Sequence, residues 1–556
     1  MHPRPVSVNV AARLAAMAQT IPDAVAVVEP LGYDRRGKRC YRQISFRELD
    51  QDSDRIARGL RDLGARKGTR LALLVRPGID FISLVFGILK LGAVAILIDP
   101  GMGRRNLVHY LAEARPEGFI AGPLVHAVRT LLGRRFAAAR WNVTVGRRWF
   151  WGGATLTRLR GGPWSGSELA PTAADDPAAI IFTTGSTGPS KGVLYCHGNF
   201  DAQVEQIRDF YGIQPGEIDL PGFPLFGLFN CAMGVTAVIP DLDPSHPAQV
   251  DPAKIIEAVR DWQVTQTFGS PAIWNRVGRY CQQHGVRLET VRRVLSAGAP
   301  VPAEVLQWMK DSIHADGDMH TPYGATEALP VASISAREVL GETAALTRQG
   351  AGVCVGHRFP GIDWAVIRIV EGPLASIEQA ERLPPGEIGE LIVRGAVVTR
   401  EYVTRREANA LGKIVAGHDV WHRMGDSGYL DPQERFWFCG RVAHRVLSSA
   451  GPMYPVRCEA IFNQHADVAR SALVGIGPAG RQRPVMVLEP RPGRMPVGRR
   501  AQEAWLAEMR RLGHTSPLTA AIDDFLLRAA FPVDIRHNAK IFREKLAVWA
   551  AGKIRR

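Results

Sequence analysis

The sequence predicts an α/β protein: a large N-terminal domain of wound mixed sheets followed by a smaller, mobile C-terminal α/β domain. From Tyr41 to Pro100, strand-like and helix-like segments alternate, the pattern that winds a parallel sheet. Apolar strands at Ala179 to Thr183 and Arg293 to Ser296 each run into a Gly-containing turn, where α/β sheets place ligands. A chain of 556 residues with 46% hydrophobic content exceeds one ordinary core.

At the N-terminus a helix is expected to begin near Ser7, and no sustained apolar region makes the segment a signal peptide. An amphipathic helix follows from Ser45 to Leu63, then strands over Arg70 to Val75 and Ala93 to Ile98. The most apolar stretch, Phe81 to Ile98, is broken by Lys90 and Gly92. It therefore reads as a buried helix and strand rather than a membrane span. In residues 133–166, arginines alternate with Trp141, Trp149, Phe150, Trp151 and Trp164. Two readings stand: a strand and connecting loop whose tryptophans cover the core, which is favoured, or a surface that docks a lipid membrane or a partner protein. After strand-like runs at Ile388 to Arg394 and Phe436 to Cys439, the boundary falls at Arg441, dividing residues 1–440 from 441–556. Within the smaller unit, Arg481 to Arg500 carries Pro484, Pro490, Pro492 and Pro496 and reads as a strand edge followed by a mobile loop.

The formal charge of +15 would attract an anionic substrate, a nucleic acid or a membrane surface. No zinc spacing, RNA-binding signature or basic heptad array accompanies it, so no nucleic-acid partner is expected. Seven scattered cysteines without a C-x-x-C pair fit a reducing cytoplasm, and a cytoplasmic location is expected.

The segment FTTGSTGPSKGV (Phe182 to Val193) carries the chemistry. An apolar strand ends in Thr183 and Thr184. Gly185 and Gly188 then let the backbone bend so that amides and the Ser186 and Thr187 hydroxyls face phosphate oxygens, and Lys191 supplies a cation. The order Ser190, Lys191, Gly192 excludes the P-loop of NTPases.

This loop resembles that of the adenylate-forming superfamily: acyl-CoA synthetases, peptide-synthetase adenylation domains and luciferases. LKLGAVAILIDP (from Leu89), SAGAP (from Ser296), YGATE (from Tyr323), GEIGELIVRG (from Gly386), RMGDSGYLD (from Arg423) and Gly440-Arg441 all stand in that family's order. The resemblance implies ATP and Mg²⁺ as cofactors and a carboxylate attacking the α-phosphorus of ATP. It implies Glu327 as the Mg²⁺ ligand, Thr326 as a donor to the α-phosphate, and Tyr323, Gly324 and Ala325 near adenine, beside Ala297, Gly298, Ala299 and Pro300. Asp426 is implied for the ribose hydroxyls, with Arg441 beside it. HNAKIFREKL (from His537) is similar to the family's C-terminal Gly-Lys segment with Ala539 in place of Gly, which implies Lys540 as a mobile catalytic lysine.

The hinge segment departs from the family pattern. In GRVAHRVLSSAGPMYP, Ala443 and His444 replace an acidic pair and Leu447 replaces Lys, which leaves thioester transfer to CoA open. PLFGLFN (from Pro224) has Gly227 where acyl-CoA synthetases commonly have His. Phe223, Phe226, Leu228 and Phe229 suit an alkyl chain or plain core equally. These departures are similar to the β-lactone synthetases of bacterial long-chain olefin biosynthesis, which adenylate a 2-alkyl-3-hydroxy fatty acid and close a β-lactone by attack of its own hydroxyl. The resemblance implies a long-chain 3-hydroxy acid substrate and a complex with neighbouring olefin-pathway enzymes. A fatty acyl-CoA synthetase is the alternative. His197, just past the phosphate loop, is a candidate for holding or deprotonating the hydroxyl, and a satisfied structural histidine is the competing reading.

Overall fold

The computed structural model describes residues 7–99, 102–183, 188–223, 225–533 and 540–554. Apolar strands buried on both faces build a seven-stranded sheet, in the order Ala154–Thr155, Trp141–Thr144, Gly118–Ala121, Arg70–Leu74, Val94–Leu97, Pro177–Phe182 and Gly192–Cys196. All neighbours are parallel except the last pair, a hairpin that carries the phosphate loop. A nine-stranded mixed sheet runs from His357–Arg358 to Arg39–Ser45, and a six-stranded antiparallel sheet contains Gly389–Arg394, Asp419–Leu430 and Phe436–Arg441. The α/β expectation therefore holds, with a large N-terminal part and a small C-terminal one.

The helix expected from Ser45 to Leu63 spans Phe46–Asp62. Ser45 caps it by accepting the Glu48 N–H while Glu48 returns a carboxylate to the Ser45 N–H. Its inner face meets Ile79–Lys90, the buried helix of the most apolar stretch. Lys90 is fully buried there and ion-pairs with Asp50 and Asp54, each at 2.6 Å. A buried ammonium needs such partners. Among the described residues no helix is long and apolar enough to cross a membrane.

Two sequence expectations need correction. The first helix is Ala12–Thr20, not one begun near Ser7, because Val8 and Ser7 are tied to Thr172 in extended pairing. Arg483–Pro490 is the middle strand of a three-stranded sheet rather than its edge. Its prolines, Pro484 and Pro490, fall outside the stretch Val485 to Leu488 that pairs with Asp524–Leu527, so no ladder hydrogen bond is lost there. Alternation along this strand serves two cores: Met486 and Leu488 pack with Phe462, Trp505 and Met509, while Val485 and Val487 pack with Leu546 and Ala550.

The tryptophans of 133–166 divide. Trp151 is buried and donates to Thr144 Oγ1, and Trp164 donates to Asp54. Trp149, Phe150 and, despite its hydrogen bond, Trp164 stand exposed.

Candidate active site

Three sheets meet at one place, and residues 398–404 stitch them together. Val398 bridges Ala328 of the nine-stranded sheet, and Tyr402 bridges Val193 of the seven-stranded one. Further along, Thr404 Oγ1 accepts the Gly192 N–H at 2.7 Å and the Val403 N–H donates to the Gly192 carbonyl.

The loop between Phe182 and Gly192 closes on itself. The Lys191 N–H donates to Thr183 Oγ1 at 3.1 Å, the Ser190 hydroxyl donates to the Thr183 carbonyl, and the Ser190 N–H reaches Tyr110 Oη. Gly188 has φ of 142°, a conformation that side chains disfavour. Thr184, Gly185, Ser186 and Thr187 lie outside the described residues.

Tyr323 to Glu327 form one arm and tip of a β-hairpin, Asp318–Ala325 paired with Ala328–Ser335, in which Ala325 faces Ala328. Thr326 and Glu327 are therefore its two-residue turn. Gly324 is required, since a Cβ there would lie 2.7 Å from the Ala328 carbonyl oxygen. The Tyr195 hydroxyl donates to the Thr326 carbonyl, and Thr399 donates both its N–H and its hydroxyl to the Glu327 carbonyl. The Tyr402 hydroxyl donates to Glu327 Oε1 at 2.7 Å, and Lys191 Nζ sits 4.5 Å from the centre of the same ring. Oε2 takes no hydrogen bond from a described residue, which leaves a hard oxygen free for a divalent cation.

Asp426 is buried where the six-stranded sheet meets the hairpin. It accepts from the Tyr323 hydroxyl and ion-pairs with Arg441 Nη1 at 3.1 Å. Burial pushes its carboxyl up, against the opposing pull of Arg441, Tyr323 and the charge of Lys540. Lys540 therefore lies within electrostatic reach of the site. Ala297 to Pro300 follow the strand Arg293–Ser296, with the Ala297 N–H on the Gly269 carbonyl and Gly298 at φ of 98°.

Sequence reasoning missed Tyr402, Thr399 and Lys413. Lys413 is buried and donates to both the carbonyl and hydroxyl of Thr399. Burial lowers its pKa to about 7, with Glu327 opposing and Lys191 adding to the effect. An ordinary-looking lysine in REANALGKI carries no local signal; only the tertiary placement marks it.

His197 is not brought to Lys191. It lies beyond the far end of Gly192–Cys196, roughly 20 Å of extended chain from Lys191. Its Nδ1 accepts the Val10 N–H at 3.3 Å, and burial lowers its pKa to about 4. Its buried Nε2 has no hydrogen-bond partner among the described residues.

Beside the hairpin tip lies an apolar cavity with about 740 Å³ of empty space, part of it open to solvent. Phe223, Leu225, Phe226, Leu228 and Phe229 line it, opposite Val85, Phe86 and Leu89. Tyr195 joins the two regions, its ring on the cavity and its hydroxyl on Thr326. Gly227 faces the core instead, where a Cβ would lie 3.2 Å from Ile82 Cδ1.

The family model for AMP-binding enzymes matches residues 14–403. The chain belongs to the family of AMP-binding enzymes. It is 46% identical over 557 residues to the olefin beta-lactone synthetase of Stenotrophomonas maltophilia (strain K279a), covering 98% of each chain. It is 45% identical over 550 residues to the protein of the same name from Xanthomonas campestris pv. campestris, covering 98% of this chain and 97% of that one. Among solved structures it resembles the amide bond synthetase McbA from Marinactinospora thermotolerans, with a TM-score of 0.78 and 20% identity over 97% of this chain and 99% of that one. The first two bear out the sequence resemblance, and the third bears out the fold.

Proposed function

We propose that this AMP-forming ligase adenylates a long-chain 2-alkyl-3-hydroxy fatty acid in the cytoplasm and closes it to a β-lactone. The observation that carries the reading is the junction at Tyr195: its ring lines an apolar cavity suited to alkyl chains and its hydroxyl reaches Thr326, next to Glu327 and the lysines over Tyr402 that suit a triphosphate. Similarity over nearly the whole chain to two olefin beta-lactone synthetases supports it.

In the first step a carboxylate oxygen attacks the α-phosphorus of ATP, the bond to the bridging oxygen breaks, and pyrophosphate leaves. Lys191 and the loop of residues 183–191 would neutralise the leaving phosphates, Thr326 would donate to the α-phosphate, and Lys540 would bridge it to the attacking carboxylate. Asp426 and Arg441 would hold the ribose, with Tyr323 and residues 297–300 against adenine. Glu327, steadied by Tyr402, would hold Mg²⁺, which when bound supplies charge neutralisation on the phosphate oxygens. In the second step the substrate's 3-hydroxyl oxygen attacks the activated carbonyl, the carbonyl–phosphate bond breaks, AMP leaves with the bonding electron pair, and the hydroxyl proton passes to solvent. Holding both groups in one molecule makes the attack effectively unimolecular.

Residues 441–556 act in this reading as a small domain that delivers Lys540. At its entry His444 Nε2 lies 3.2 Å from Glu544 Oε1 and Leu447 is held through its N–H by Gln482. Neither offers the acid–lysine chemistry of the family hinge, in keeping with an acceptor that is not CoA. The insoluble lactone would be handed to neighbouring pathway enzymes. The test is incubation with ATP, Mg²⁺ and a 2-alkyl-3-hydroxy acid without CoA: AMP and lactone are expected in equal amounts. AMP release only after CoA is added would replace this reading with a fatty acyl-CoA synthetase.

A further inference from the structure

Between Glu117 and Glu168 the chain holds no acidic residue, yet it holds eight arginines: 129, 134, 135, 140, 147, 148, 158 and 160. More than half of the net charge of +15 is thus concentrated in one stretch of sequence. Arg134, Arg135, Arg147 and Arg148 are exposed and form no ion pair with a described residue. A surplus of this kind calls for an anionic counterpart from outside the chain.

The same stretch presents large apolar groups to solvent. On the helix Pro123–Leu131, positions 124, 128 and 131 share one face, and all three are exposed: Leu124 at 73%, Val128 at 49% and Leu131 at 82%. The opposite face carries buried His126, which stacks on Trp151 at 5.7 Å between ring centres. Trp151 in turn props Trp149 and Phe150, at 5.4 and 5.1 Å, and these two are 48% and 73% exposed. Helix and loop are thus tied together through His126 and Trp151, and each presents large apolar groups to solvent in the stretch that carries the exposed arginines without ion pairs to described residues. Both leave the carboxyl edge of parallel strands in the seven-stranded sheet, the edge from which the strand Pro177–Phe182 leads to Lys191.

We propose that this surface, built from Leu124, Val128, Leu131, Trp149 and Phe150 and ringed by arginines, docks the protein onto an anionic lipid bilayer. Arginines meet the headgroup phosphates while the rings and alkyl groups enter the acyl boundary, as interfacial anchors do. Exposed aliphatic side chains favour a bilayer over a nucleic acid, whose bases offer them no apolar phase. The lack of carboxylates in residues 118–167 favours it over a mixed-charge protein interface. Docking turns the carboxyl edge of the seven-stranded sheet, from which Pro177–Phe182 leads to Lys191, towards the membrane, and it concerns the surface alone, so it stands or falls independently of the reaction.

Flotation of the purified full chain with equimolar phosphatidylglycerol/phosphatidylcholine vesicles tests it, against pure phosphatidylcholine vesicles. Binding is expected to the anionic vesicles alone, strong at ~0.1 M salt and largely lost at ~1 M. Trp149→Ala with Phe150→Ala is expected to lower partitioning by roughly tenfold or more, and Arg135→Ala with Arg147→Ala by roughly 25-fold. Unchanged far-UV circular dichroism establishes that both double variants are folded. Absence of flotation, flotation that survives both double variants, or a dimer that dissociates in the Trp149/Phe150 variant would each overturn the proposal, the last by assigning the face to a second copy. Vesicle binding abolished by single-stranded DNA at equal charge would overturn it as well.

Discussion

Where Lys191, Glu327, Tyr402 and Asp426 meet, each side chain is held by a specific hydrogen bond, ion pair or ring contact, whereas the cavity beside Phe226 and Phe229 is walled by rings and alkyl groups that specify a volume. Fixed charge suits a ligand whose charges always stand in the same places, as those of ATP do. A shaped apolar space suits a ligand whose alkyl groups vary in length, because one methylene changes its binding by only about 1 to 3 kcal/mol. The difference teaches that the two halves should fail in different ways: single atoms matter in the first, and filled volume matters in the second.

The largest effect is expected in the charged half. Lys540→Ala should lower pyrophosphate exchange by about 10² to 10³-fold while ATP affinity stays within a few-fold. An equal loss in both would make Lys540 a general binding residue. Tyr402→Phe removes the one hydroxyl on Glu327 Oε1 and should lower kcat/KM for ATP by roughly tenfold, with a higher Mg²⁺ requirement in a steady-state titration. In the apolar half, Ala232 lines the cavity, and Ala232→Leu should raise KM for a long-chain acid by roughly tenfold while a four-carbon 3-hydroxy acid reacts as before.

The smallest effect on catalysis is expected at His197, which belongs to neither half. His197→Gln should leave AMP release within about twofold, because the residue meets the backbone of Val10 at the cavity wall and hydrogen-bonds to none of Lys191, Glu327, Tyr402 or Asp426. Its signature should appear in stability. The imidazole is neutral when folded, with a pKa near 4 against an ordinary 6.5. Unfolding therefore takes up a proton in that window, and stability falls as pH drops from about 6.5 towards 4. A thermal melt series across the window should be flatter for the variant than for the wild type. Activity lost by more than about a hundredfold would return His197 to the site.

The charged half was legible in the sequence where its residues are contiguous. FTTGSTGPSKGV and YGATE each present a strand ending in a turn, and the turn is where the structure puts Lys191, Thr326 and Glu327. Tyr402 and Lys413 were not legible, because each reaches Glu327 or its support from a distant segment, and a lone tyrosine or lysine is ordinary until the fold buries it. His197 is the reverse case: six residues from Lys191 sounds near, but an extended strand advances about 3.3 Å per residue and carries it to the other end of Gly192–Cys196. The apolar phenylalanines were legible as apolar only. That they wall a cavity as well as packing on one another depends on the opposing helix Ile79–Lys90.

The central claim is that the acceptor of the adenylate is the substrate's own hydroxyl. It is tested most directly by following AMP release, without CoA, from a 2-alkyl-3-hydroxy acid and from the same acid lacking the 3-hydroxyl. Continuous AMP release with lactone is predicted from the first. From the second, pyrophosphate should appear once per enzyme while the adenylate stays bound. Equal continuous AMP release from both acids, with no lactone, would contradict the account.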